Sequence, residues 1–148
     1  MKAAFIKGYG AMDKVQIGEQ PMPDVASGHV LIKIKAAGVN PIDWKIVKGD
    51  LKPLFRPALP QLLGSEGAGV IAQLGRDVTG FAIGDEVYFR AFETETGTYA
   101  DYYSVAANLV ALKPSNMSFN QAASIPLAGL TAMQALVEKG VCTPDRGC

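Results

Sequence analysis

The clearest alternation in the chain lies at residues 30–37, where Val30, Leu31, Ile32 and Ile34 are set against Lys33 and Lys35, the pattern of a strand with one wet face. Shorter apolar runs at 2–7 and 14–19, separated by Gly8, Gly10 and Asp13, suit a hairpin or a barrel edge, and Pro21 and Pro23 close that section. His29, the only histidine, reads as a surface residue at a strand start. The period then changes. Asn40 can cap a helix, Pro41 suits its first position, Asp43 favours its positive end and Gly49 stops it, so a short helix is predicted directly after the third strand. Pro53, Pro57 and Pro60 stand too close together for regular structure.

Further strands are predicted over 70–74, at the end of 80–89 behind a Gly-Asp turn, over 97–105 and over 109–112, with Tyr99, Tyr102 and Tyr103 as packing residues. About seven short strands with glycine turns predict a mainly β sandwich or barrel rather than a parallel α/β sheet. Ser118 and Gln121 form a capping box that starts a helix running to about residue 124. Pro126 restarts it, and a second helix is predicted over 127–139, ending at Gly140.

The stretch Gly64-Ser65-Glu66-Gly67-Ala68-Gly69 places a carboxylate among glycines just before an apolar run. Three glycines so close predict a tight, crowded main chain. The order G-x-x-G-x-G leading into a strand is not the dinucleotide fingerprint, which runs G-x-G-x-x-G between a strand and a helix. Glu66, entering an apolar strand, calls for a cationic partner, a metal or water, and reads as structural.

A chain of 148 residues has the size of one domain with a proper core. Fourteen basic and fourteen acidic residues cancel without gathering into blocks, which argues against nucleic acid or an anionic membrane as a partner. Cys142 and Cys148, both in the last seven residues, exclude a disulfide framework and a four-cysteine zinc site. The apolar run at the amino terminus is too brief for a signal or a membrane span, so a cytoplasmic setting is expected.

Five motifs occur in the order seen in the medium-chain dehydrogenases/reductases. They are Gly38-Val39-Asn40-Pro41-x-Asp43, the Gly64 to Gly69 stretch, Phe81-x-x-Gly84-Asp85-x-Val87, Gly97-Thr98-Tyr99-Ala100, and Ala123-x-x-Pro126-Leu127-Ala128-Gly129-Leu130-Thr131-Ala132. Residues 1 to about 139 resemble the zinc-free quinone oxidoreductase and enone reductase branch. That resemblance implies a GroES-like, partly open β-barrel over 1–125, a helix over 126–140 leading toward a nucleotide-binding (Rossmann) domain that this chain lacks, and a tail, 141–148, matching nothing in the family.

In the zinc alcohol dehydrogenases of the superfamily a cysteine stands where this chain has Asn40, a histidine where it has Ser65, and a third ligand at the position of Leu127. Those three side chains cannot hold zinc, so no metal is expected. The resemblance then implies hydride transfer from NADPH to a small quinone or an α,β-unsaturated carbonyl. Asn40, Asp43 and Lys45 would line the cleft, Asn40 and Lys45 on the cofactor side as well, with Thr131 at the nicotinamide carboxamide. Local sequence also allows blander roles: Asn40 and Asp43 as cap and first-turn acid, Lys45 as a solvated lysine, Trp44 as packing, Thr131 bonded to a backbone carbonyl. Without a nucleotide domain the chain is expected to bind the cofactor hardly at all, to be inactive alone, and to expose an apolar patch that favours self-association. The alternatives are a non-catalytic GroES-like binding or assembly module and, ranked below it, a zinc alcohol dehydrogenase.

Overall fold

The computed structural model describes residues 1–54, 58–91 and 97–138. Two antiparallel sheets, not closed on each other, carry the fold. The smaller has the order β2-β1-β4, from β1 (Lys2–Ile6), β2 (Val15–Glu19) and β4 (Gln61–Leu62). The larger runs β7-β3-β5-β6-β8, from β3 (His29–Ala37), β5 (Glu66–Leu74), β6 (Glu86–Arg90), β7 (Tyr102–Ala106) and β8 (Val110–Leu112). Among the described residues, the α-helices α1 (Pro41–Lys48) and α2 (Phe119–Ala123) start at the predicted caps, and α3 (Pro126–Met133) starts at the predicted Pro126.

Alternation along β3 has the expected result, with Val30 and Ile32 buried and Lys33 and Lys35 exposed. Val30 and Ile32 join Ile71, Val87, Phe89, Tyr103 and Val105 in the main core, where the Phe89 and Tyr103 rings stack at 5.5 Å. A second cluster holds Ile46 and Val47 of α1 against Ile6 and Leu63, which seats the helix on the smaller sheet. Burying such side chains contributes about 1.5–3 kcal/mol each. A third, built from Ala68, Ala122 and Ala123, lets α2 lie close on β5.

Four expectations are corrected. The strand predicted from residue 70 begins at Glu66, so Gly67 and Gly69 lie inside a central strand between β3 and β6. They are tolerated there because β3 comes close: a Cβ on Gly69 would strike the Lys33 carbonyl oxygen and stand 2.8 Å from Ile32 Cγ2. The strand predicted from residue 97 begins at Tyr102, since the preceding residues make one isolated bridge, Ala3 to Ala100, and then turn. The short β4 follows the prolines unannounced, because two residues carry no alternation. Past Met133 the helix widens to π-type turns over Gln134–Glu138, and the end predicted at Gly140 lies outside the described residues, as do Pro57, both cysteines and the tail.

Candidate active site

The site is organised by the first turn of α1. Asn40 is extended, at φ −126° and ψ 157°, and Gly49 closes the far end in the left-handed region at φ 88°. The Asp43 carboxylate turns back to accept the Asn40 backbone N–H at 2.7 Å, half of a capping box. It is only 5% exposed and takes two more protons: Ser65 Oγ donates at 2.6 Å and the Tyr99 hydroxyl at 2.8 Å. That hydroxyl also lies 3.1 Å from the Gly38 carbonyl oxygen. Burial first, then the bond to Asp43 and the charges of Asp43 and Glu66, push the Tyr99 phenol well above its ordinary value.

Glu66, 2% exposed, is the second buried carboxylate. One oxygen accepts from Asn40 Nδ2 at 2.6 Å and the other from the Leu127 backbone N–H at 2.7 Å. The sequence called for a cationic partner, a metal or water at Glu66; the donors that the structure shows are an amide and the N-terminal turn of α3, where the helix dipole favours negative charge. Room is made by Gly38: a Cβ there would meet Glu66 Oε1 and stand 2.8 Å from the Ala123 carbonyl oxygen.

Asn40 and Asp43 are therefore brought together. Lys45 is exposed, with its ammonium 5.8 Å from the Trp44 ring, outside this network. Thr131 is exposed, and its hydroxyl donates to the Leu127 carbonyl at 2.7 Å, the backbone bond that local sequence allowed. Trp44, read from the sequence as packing, keeps 44% of its surface open. Tyr99 was expected to pack and is instead a donor to Asp43; the signal available was that a tyrosine hydroxyl drawn inward needs a polar partner. Ser65 entered the sequence argument only as a missing ligand, and its bond to Asp43 needed the fold.

Asn40, Ser65 and Leu127, the three positions equated with zinc ligands, thus meet around Asp43 and Glu66. Their side chains are an amide and a hydroxyl, each donating to a carboxylate, and an aliphatic chain. That donor set does not fit zinc, which needs thiolate, imidazole or carboxylate groups at those positions. A cavity of about 590 Å³ lies elsewhere, between β6, β8 and α3, and none of Asn40, Asp43, Lys45 or Thr131 lines it.

Residues 26–115 match the alcohol dehydrogenase GroES-like domain. The chain is 39% identical to a chloroplastic quinone-oxidoreductase homolog of Spinacia oleracea, over 93% of this chain and 42% of that protein. It is 38% identical to the chloroplastic NADPH-dependent alkenal/one oxidoreductase of Arabidopsis thaliana, over 93% of this chain and 37% of that protein. Among solved structures, the quinone oxidoreductase of Coxiella burnetii superposes with a TM-score of 0.88 at 36% identity, covering 97% of this chain and 46% of that one. The Escherichia coli quinone oxidoreductase complexed with NADPH gives 0.87 at 30% identity, covering 98% and 43%. The chain spans about two-fifths of the length of the curated relatives it matches.

Proposed function

We propose, since the chain belongs to the alcohol dehydrogenase GroES-like family of the medium-chain dehydrogenases/reductases, that it is the catalytic part of a zinc-independent, NADPH-dependent reductase of quinones or α,β-unsaturated carbonyls. The observation that carries this is the side chains at the three positions that the resemblance equates with zinc ligands, Asn40, Ser65 and Leu127, none of which is a thiolate, imidazole or carboxylate. Quinone and alkenal/one oxidoreductases among the relatives support the acceptor class, and the NADPH complex of a similar structure supports the cofactor.

The residues fit the nicotinamide end of such a cofactor. Lys45 and Thr131 are exposed and polar, and Asn40 is half-buried between Glu66 and the surface. Bound NADPH supplies a hydride. Asp43 holds the Asn40 backbone, and Glu66 holds its amide, so Asn40 meets a ligand in one orientation. Lys45 would donate to the ribose of the bound cofactor or to the oxygen on which negative charge develops. Conjugation in the acceptor spreads that charge, which is why no Lewis acid is required. The balance is one quinone, one NADPH and one proton giving hydroquinone and NADP⁺, with the proton drawn from solvent. Residues 1–125 form the catalytic domain on this reading, and 126–140 lead to the nucleotide domain.

The test uses the chain fused ahead of a dinucleotide-binding domain. NADPH-dependent quinone reduction that survives a metal chelator is expected, with Lys45→Ala lowering kcat/KM by at least about tenfold. Absence of turnover, or its loss on chelation, would overturn the assignment.

A further inference from the structure

Trp44 is the only tryptophan in the chain. It stands on α1, whose inward face is made by Asp43, Ile46 and Val47, and it points outward with 44% of its surface open. Lys45 Nζ lies 5.8 Å and Lys48 Nζ 5.7 Å from its ring centroid. Asn40, the residue that caps α1, precedes it by four residues. Val39, 84% exposed, adds an apolar edge beside Asn40.

We propose that Trp44, Lys45 and Lys48 form a stacking platform that binds the planar carbonyl acceptor, a quinone in particular. This rests on the reductase reading and adds to it the surface that takes the substrate. An electron-rich indole and an electron-poor quinone ring are complementary in an offset stack, and such pairs gain beyond the area they bury. The flanking ammonium groups supply donors for the carbonyl oxygens at the ring's ends. Both sit near the outer limit of cation–π range, about 6 Å, so the indole holds them lightly and a ligand oxygen can draw them away. The platform is rigid where it needs to be: Ile46 and Val47 seat α1 in the core, and Asp43 ties its first turn to Ser65 and Tyr99. A solvated helix face would place the same residue types outward, but it would have no preference for a flat carbonyl compound.

Duroquinone, whose fully substituted ring does not add to thiols, is the probe, titrated into the 148-residue chain with Trp44 fluorescence intensity and lifetime followed together. Saturable quenching at constant lifetime is expected. Its dissociation constant should rise at least about fivefold in the Lys45→Met/Lys48→Met double variant, at an unchanged urea midpoint. Linear quenching with the lifetime falling in step would reduce the contact to collision and overturn the platform. So would an unchanged constant in the double variant, or saturable quenching by nicotinamide mononucleotide but not by duroquinone. The reductase reading is judged separately, by turnover in the fused form. Turnover with a KM for duroquinone unmoved by Trp44→Leu sinks the platform and spares the reductase; saturable quenching without turnover does the reverse.

Discussion

Tyr99 ties the site to the fold through one proton, shared between a carboxylate and the Gly38 carbonyl. Replacing it with phenylalanine leaves a buried carboxylate one donor short, and near neutral pH Tyr99→Phe should cost about 1.5–3 kcal/mol of stability by urea unfolding. The pH dependence has a definite sign. The unfolded chain loses the phenol proton near the ordinary value of about 10, whereas in the folded chain burial and two neighbouring carboxylates hold it to higher pH. Stability owed to this hydroxyl is intact below about 10 and lost as pH rises past that value toward the folded one. The gap between parent and Tyr99→Phe should therefore shrink in the alkaline range; a gap of constant size would show that the phenol is not held.

At the level of elements, the central strand β5 works because two of its first four residues have no side chain. Gly69→Ala should cost about 1–3 kcal/mol through overpacking against β3, since the obstacle is the backbone at Lys33. Gly8→Ala, with nothing within 4 Å of the added carbon, should change stability by less than about 0.5 kcal/mol. Equal effects in the two variants would contradict the packing described. The crowding was legible in the sequence because glycines cluster there, and α1 was legible because Asn40, Pro41, Asp43 and Gly49 each favour one position of a helix end. The fates of Glu66 and Tyr99 were not. Their partners, Leu127 and Asp43, stand 61 and 56 residues away, and no local pattern encodes a contact across that separation. Trp44 misled for the opposite reason: size suggests burial, but its place between inward Asp43 and outward Lys45 turns it to solvent.

Taken whole, α3 meets Glu66 through the Leu127 backbone N–H and buries only Pro126, leaving Leu130 46%, Met133 56%, Leu136 43% and Val137 55% exposed along it and its continuation. Apolar surface of that extent on one helix favours association. The sedimentation coefficient of the chain should rise with concentration, and Leu130→Lys/Met133→Lys should hold it at the monomer value. Concentration-independent sedimentation of the parent would show that this face does not self-associate.

The proposal of a zinc-independent reductase rests on Asn40, Ser65 and Leu127 at the positions that the resemblance equates with zinc ligands. It is tested most directly by deuterium transfer from C4-deuterated NADPH to an enone, in the form carrying a nucleotide-binding domain, after exhaustive chelation. Deuterium at the β-carbon, at the rate seen before chelation, is the predicted result. No transfer until zinc is restored would contradict it.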